Sequence, residues 1–159
     1  MKKMVLSLLV DNTSGVLSRV SGLFSRRGYN IDSLSVGVTE NPKYSRMTVA
    51  VSGDDLTLEQ IAKQLNKLED VVEIIELKDG ESVCRELVLV KVKTNREEKQ
   101  QIIALTDVFR AKIVDVSVES LMIELTGNSN KIEAFIGLLD RFEIESIVRP
   151  GLTGLVRGN

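Results

Sequence analysis

The chain carries one order of hydrophobic patterns twice, and that repeat limits its fold more tightly than any single motif. In the first copy, Met4–Val10 is short, apolar and branched, which predicts a buried strand. Val16, Leu17, Val20, Leu23 and Phe24 share one face of a helix, and Gly28 stands where a left-handed cap would end it. Ile31–Val38 alternates, with Leu34, Val36 and Val38 on one face and Ser33, Ser35 and Gly37 on the other. "TENPK" reads as a turn, and Ser45–Ser52 alternates again through Met47, Val49 and Val51. Thr57 and Gln60 have capping-box spacing before a second helix whose inward face is Leu58, Ile61, Ala62, Leu65 and Leu68. Val71–Leu77 closes the order βαββαβ.

"KDGESVC", Lys78–Cys84, is polar and carries a glycine, which marks a boundary. The order then recurs. Glu86–Lys93 alternates, and Asn95 with Glu98 predicts a capped helix with Ile102, Leu105 and Phe109 inward. "AKIVDVSVESLMIELTG" divides into two strands around Val118–Ser120. "NSNKIEAFIGLLDRF" supplies a helix with Ile132, Phe135, Ile136 and Leu139 inward, and Ile144–Arg149 the last strand. The expectation is an α+β chain of two tandem ferredoxin-like βαββαβ domains, residues 1–77 and 86–159, with 78–85 as linker and a glycine-rich tail. In 159 residues each half sits near the size at which one core suffices, so mutual packing or oligomerisation should help.

Composition excludes several function classes. The chain has no histidine, so the commonest general acid-base residue and metal ligand are missing, although carboxylates and lysines remain. One cysteine, Cys84, has no partner to bridge and suits a reducing compartment. No apolar run reaches membrane-spanning length, and "MKKMVLSLLVDN" lacks a signal-peptide core, so a soluble, cytoplasmic protein is expected. An RNA-recognition module of the same element order needs aromatic residues on its central strands. "MVLSLLV", "SRMTVAVS", "ELVLVKV" and "SLMIEL" have none, and the net charge is −2. A small phosphatase would need an arginine converging on a phosphate loop, and "DNTSG" carries none. Neither nucleic acid nor membrane is expected as a partner.

The turn "DNTSG" before the first helix admits two readings. In one, Asn12 and Ser14 turn the chain and cap the helix. In the other, the free N–H groups and dipole of the helix terminus receive a carboxylate, Gly15 lets it approach, and Asn12 offers both a donor and an acceptor to an amino acid. The second strand, Ile31–Val38, falls at a sheet edge in a split βαββαβ unit. It would pair with its own copy across a two-fold axis, or be protected by a bulge or a covering loop.

"DNTSGVLSRVSGLFSRRGYNIDSLSV" followed by "SRMTV" resembles the N-terminal ACT domain of the small regulatory subunits of acetolactate synthase (acetohydroxyacid synthase). The resemblance continues through "LEQIAKQLNKLEDV", "RELVLVKV", "FRAKIVDV" and "GLTGLVRG", and so spans nearly the whole chain. It implies a non-catalytic subunit that binds and activates a thiamine-diphosphate-dependent catalytic subunit and confers feedback inhibition by valine or a related branched-chain amino acid. It also implies that thiamine diphosphate, Mg2+ and FAD belong to the catalytic subunit, with no cofactor on this chain. The effector would lie between the ACT domains of a homodimer, held by Asn12, Gly15, Val16 and Leu17 of one copy and Asn30 and Ile31 of the other. A tandem ACT-type sensor serving a different biosynthetic enzyme is the competing assignment. In the second half, "VKTNREEK" has no glycine and two glutamates, so one effector module per chain is expected.

The remaining features have plain structural readings. Arg26 and Arg27 complement the dipole at a helix C-terminus. Cys84 has no histidine to activate it, and "REEK" at Arg96–Lys99 reads as a solvated helix start. The tail "RPGLTGLVRGN" either packs back on the second domain or meets a partner.

Overall fold

The computed structural model describes residues 1–158. They divide into two compact units, Met1–Cys84 together with the segment from Leu152, and Arg85–Gly151.

In the first unit the elements are β1 (Lys2–Asp11), α1 (Val16–Arg27), β2 (Ile31–Val38), β3 (Tyr44–Gly53), α2 (Asp55–Asn66) and β4 (Val71–Glu76). The antiparallel sheet has the order β2-β3-β1-β4, so β1 and β3 are central. Alternation along the central strands sends Leu6, Leu8 and Val10 of β1 and Met47, Val49 and Val51 of β3 into one core. Val16, Val20, Leu23 and Phe24 of α1 and Leu58, Ile61 and Leu65 of α2 close it from one side. The opposite, open face carries small hydroxyl residues in one row, since Ser7 pairs with Thr48 and Thr48 with Ser35. Ser7 and Thr48 are nonetheless buried, and Ser7 accepts a hydrogen bond from Arg46.

The second unit contains β5 (Ser82–Lys93, which begins in the first unit), α3 (Arg96–Phe109), β6 (Lys112–Val116), β7 (Ser120–Gly127), α4 (Ser129–Leu139) and β8 (Glu143–Val148). Its sheet order, β6-β7-β5-β8, repeats that of the first. Val88, Val90 and Val92 face Leu121, Ile123 and Leu125 in a separate core sealed by Ile102, Ile132, Phe135 and Leu139. The ferredoxin-like order expected from the sequence is therefore present twice.

Three expectations need correction. Helix α2 is not capped by a Thr57–Gln60 box. It starts at Asp55, and the Asp54 carboxylate accepts the Thr57 N–H at 2.7 Å, three residues earlier than expected. That bond holds the Asp54 carboxyl below the usual aspartate range. The 78–85 segment, expected as the linker, holds the division between the units at Cys84/Arg85, but it is not irregular throughout, because β5 begins within it at Ser82. The tail, expected within the second domain, groups with the first unit. Leu152–Val156 forms β9, which pairs with β5 and lies against β2 and β3 of the first unit. The Leu152 N–H donates to Ser33 Oγ at 2.8 Å, and Ser35 Oγ donates to the Leu152 carbonyl at 3.0 Å. The small side chains of β2 leave room for a backbone to come that close.

Candidate functional site at the amino end of the first helix

Strand β1 ends by tying the following turn down on both sides. The Asp11 N–H donates to the Asp70 carbonyl, and the Asn12 N–H to the Lys43 carbonyl. Asn12 uses its side chain in the same way: Nδ2 donates to the Pro42 carbonyl at 3.0 Å, and Oδ1 accepts from Ser45 Oγ at 3.2 Å. Asn12 thus holds the turn before α1 against the β2–β3 turn.

Gly15 then takes φ +87°, a left-handed conformation that favours glycine. It occupies the N-cap position of α1 without any side-chain cap hydrogen bond. Of the four helices of the described residues, α1 alone is left so. Asp54, Asn95 and Asn128 each cap theirs through a side-chain oxygen. No acidic residue stands in the first turn of α1 either. The amino end of this helix therefore keeps unspent N–H donors and the positive end of its dipole, which together suit an anion.

Arg19 adds charge beside it. Its guanidinium grips Asp70 through Nε (2.5 Å to Oδ2) and Nη2 (3.0 Å to Oδ1). The third nitrogen, Nη1, lies over Gly15, so close that a methyl group built there would come within 2.8 Å of it. The hydrogen bond from Arg19 holds the Asp70 carboxyl below the usual aspartate range, and the same bond raises Arg19. Asp70 is therefore a native-state anion whose stabilising effect is complete above the ordinary pKa of about 3.9 and lost as the pH falls through its lowered folded value. An Asp70→Asn variant should accordingly be less stable than the parent at neutral pH. In denaturant titrations followed by circular dichroism the gap should narrow as the pH drops below about 4. A gap independent of pH would mean that the pair contributes nothing.

The other expected site residues are placed differently. The Val16 side chain is in the core, leaving its backbone N–H for the site, whereas Leu17 is 45% exposed. Asn30 and Ile31 follow the C-terminus of α1, whose 12 residues span about 18 Å, so one chain does not bring the two groups together. Asn30 Nδ2 donates to Asp32 Oδ1, and Asp32 Oδ2 accepts from Ser52 Oγ. Arg19 and Asp70 were not foreseen. They are 51 positions apart, and no local pattern announces the pair.

The corresponding place in the second unit is filled. Asn95 and Glu98 form a reciprocal capping box, with Glu97 beside them in the first turn of α3. A depression of about 520 Å³, lined by Ile75, Glu76, Lys78, Glu81, Val156 and Arg157, shares no residue with the amino end of α1. Among the described residues no group of three or more His, Cys, Asp or Glu side chains could hold a metal, and no helix is long and apolar enough to cross a membrane.

The first unit has the split βαββαβ order, and its residues 6–73 match the family described as AHAS small subunit-like ACT domain, which makes it an ACT-type fold. Residues 85–158 match the family described as small subunit of acetolactate synthase. The chain belongs to the acetolactate synthase small-subunit family. It is 48% identical over 157 residues to the probable acetolactate synthase small subunit of Archaeoglobus fulgidus, covering 99% of this chain and 98% of that one. With the acetolactate synthase small subunit of Mycobacterium bovis it shares 50% identity over 157 residues, covering 99% and 94%. The crystal structure of the acetolactate synthase small subunit from Thermotoga maritima superposes with a TM-score of 0.91 at 44% identity, covering 100% of this chain and 99% of that one.

Proposed function

We propose that the chain is the regulatory subunit of acetolactate synthase in branched-chain amino-acid biosynthesis. It catalyses nothing itself, raises the activity of a cytoplasmic catalytic subunit that carries thiamine diphosphate, Mg2+ and FAD, and imposes feedback inhibition when it binds valine. The observation that carries the effector site is the amino end of α1, the one helix N-terminus among the described residues without a side-chain cap. A carboxylate there gains on the order of 0.3–1 kcal/mol, and ~2 kcal/mol where partly buried. The capped start of α3 supports one effector module per chain.

The strand register supports a site shared by two copies. The outer edge of β2 pairs with no strand among the described residues, and Val36 and Val38 are 49% and 62% exposed. Val38, Ser45 and Val10 form one row across the sheet, at the end that carries Asn12. Ile31 lies at the other end of β2, opposite Val51. Antiparallel pairing of β2 with its copy across a two-fold axis would bring Asn30 and Ile31 of one protomer beside the α1 terminus of the other. The bulge at Asp32 leaves the stretch from Ser33 onward regular enough to pair.

The test is copurification with an acetolactate synthase catalytic subunit, followed by assays with and without valine. The expected result is a severalfold rise in activity that valine reverses, from a regulatory chain that sediments as a dimer. No stimulation would assign the chain to another enzyme, and a strict monomer with valine present would defeat the shared site.

A further inference from the structure

We propose that Leu152–Val156 is a detachable strap clipped onto strand β2, and that its docking is linked to occupancy of the effector site. The linkage rests on the functional reading above; the strap rests on geometry alone.

The clip is built at a single residue. Both main-chain polar groups of Leu152 are held by side chains of one strand, the N–H by Ser33 and the carbonyl by Ser35. Farther along, Gly154 is seated where no side chain fits. A methyl group there would come within 2.7 Å of Cys84 Sγ, 2.8 Å of Leu77 Cδ1 and 3.0 Å of the Val83 carbonyl oxygen. The Arg157 N–H then donates to the Glu81 carbonyl at 2.8 Å. The segment so fastens β2 at one end to the β4–β5 turn at the other. It buries little apolar surface in return, since Leu155 is 61% and Val156 45% exposed. A five-residue strand that pairs only with β5 and leaves Leu155 and Val156 largely exposed belongs to the low-stability end of a fold, and it opens separately from the sheet beneath it.

The path to the effector site is short. Ser33 follows Asp32, whose two carboxylate oxygens are occupied by Asn30 Nδ2 and Ser52 Oγ. An effector that adds contacts to Asn30 while it stays bonded to Asp32 braces the start of β2, next to the clip, and so favours the docked strap. By reciprocity, a ligand that favours the docked strap is itself bound more tightly when the strap is docked.

Cys84, the only cysteine, lies beneath Gly154 and serves as a single-site reporter of opening. In the full chain, its rate of alkylation by iodoacetamide should rise about tenfold or more in Ser33→Ala/Ser35→Ala, which removes both clip bonds. Gly154→Val should raise it similarly by steric expulsion. Hydrogen exchange should accelerate in residues 152–157 and in β2, and stay unchanged in Arg85–Gly151. Unchanged alkylation in both variants would overturn the strap. Saturating valine, with binding verified by calorimetry on the same sample, should slow alkylation of the parent chain. Binding without slowing overturns the linkage. Absence of binding overturns the functional reading and the linkage with it, while the variant comparison still decides the strap.

Discussion

Gly15→Asp is expected to give a subunit that still stimulates the catalytic chain and no longer responds to valine. Three effects act together. The new carboxylate adds a fixed negative charge at the uncapped amino end of α1 and competes for the positive end of its dipole, where the proposed effector carboxylate would sit. It repels a ligand carboxylate at the same place. It also displaces Arg19, whose Nη1 lies within 2.8 Å of the position the new Cβ would take. Losing a helix-terminus contact worth about 0.3–1 kcal/mol weakens binding roughly two- to fivefold before repulsion and the displaced Arg19 are counted.

The fold should tolerate the change. A non-glycine residue in the left-handed conformation that Gly15 adopts costs about 1–2 kcal/mol, against the 5–15 kcal/mol typical of a domain. Gly15→Ala shares the strain and the displaced Arg19 but adds no charge, so it should retain part of the valine response. Full valine inhibition in Gly15→Asp would move the site away from this turn. Loss of stimulation in a variant that is folded by circular dichroism would mean that the turn also touches the catalytic subunit.

The sequence revealed most where its signals were local and periodic. The 3.6-residue stripes of α1 and α4 and the two-residue alternation of β3 and β5 point to the core residues, because burial follows period, with Leu17 of the α1 stripe the exception at 45% exposed. Capping was legible where one candidate stood in place, as at Asn95 with Glu98. It failed at α2, where Asp54, Asp55 and Thr57 compete within four positions and the aspartate three residues before Thr57 prevailed. The end of α3 carried no stop signal at all, since Arg110 takes the left-handed position with φ +56° that Gly28 takes after α1.

Long-range partners were hidden for a different reason. The Arg19–Asp70 pair and the Ser33/Ser35–Leu152 clip join positions 51 and 117–119 residues apart. Their existence depends on which turns the sheet brings together, and hydropathy does not encode that. "IDSLSV" predicts an edge strand, and β2 is one. Its serines, however, lie on the open face and receive the chain's own tail. The glycine before α1 was visible in the sequence; the lack of any cap on that helix became visible only beside three capped ones.

Arg149→Met should destabilise the second unit far more than Glu133→Gln, although both break a bond to the same guanidinium. Arg149 Nη1 meets Glu133 at 2.7 Å, and Nη2 meets Glu86 at 2.9 Å. Burial lowers the Arg149 pKa, and the hydrogen bonds it donates to Glu133 and Glu86, with their charges, outweigh that, so the net shift is upward. The Glu133 side chain is 64% exposed, so water and salt screen its bond, and its loss should cost about 0–1 kcal/mol. The Glu86 side chain is 9% exposed, and without Arg149 it would keep only the Ser129 hydroxyl, an uncompensated buried charge. Breaking a buried pair costs roughly 3–5 kcal/mol, and the one-third exposure of Arg149 brings the expectation to about 2–3 kcal/mol. Glu86 lies at the start of this unit and Arg149 near its end, so the pair also fixes the strand through which the chain enters and the strand by which it leaves. Denaturant unfolding combined with hydrogen exchange should place the loss in Arg85–Gly151. Equal costs for Arg149→Met and Glu133→Gln would mean that Glu86 is hydrated in solution and that the ion pair does not hold the ends of the unit together.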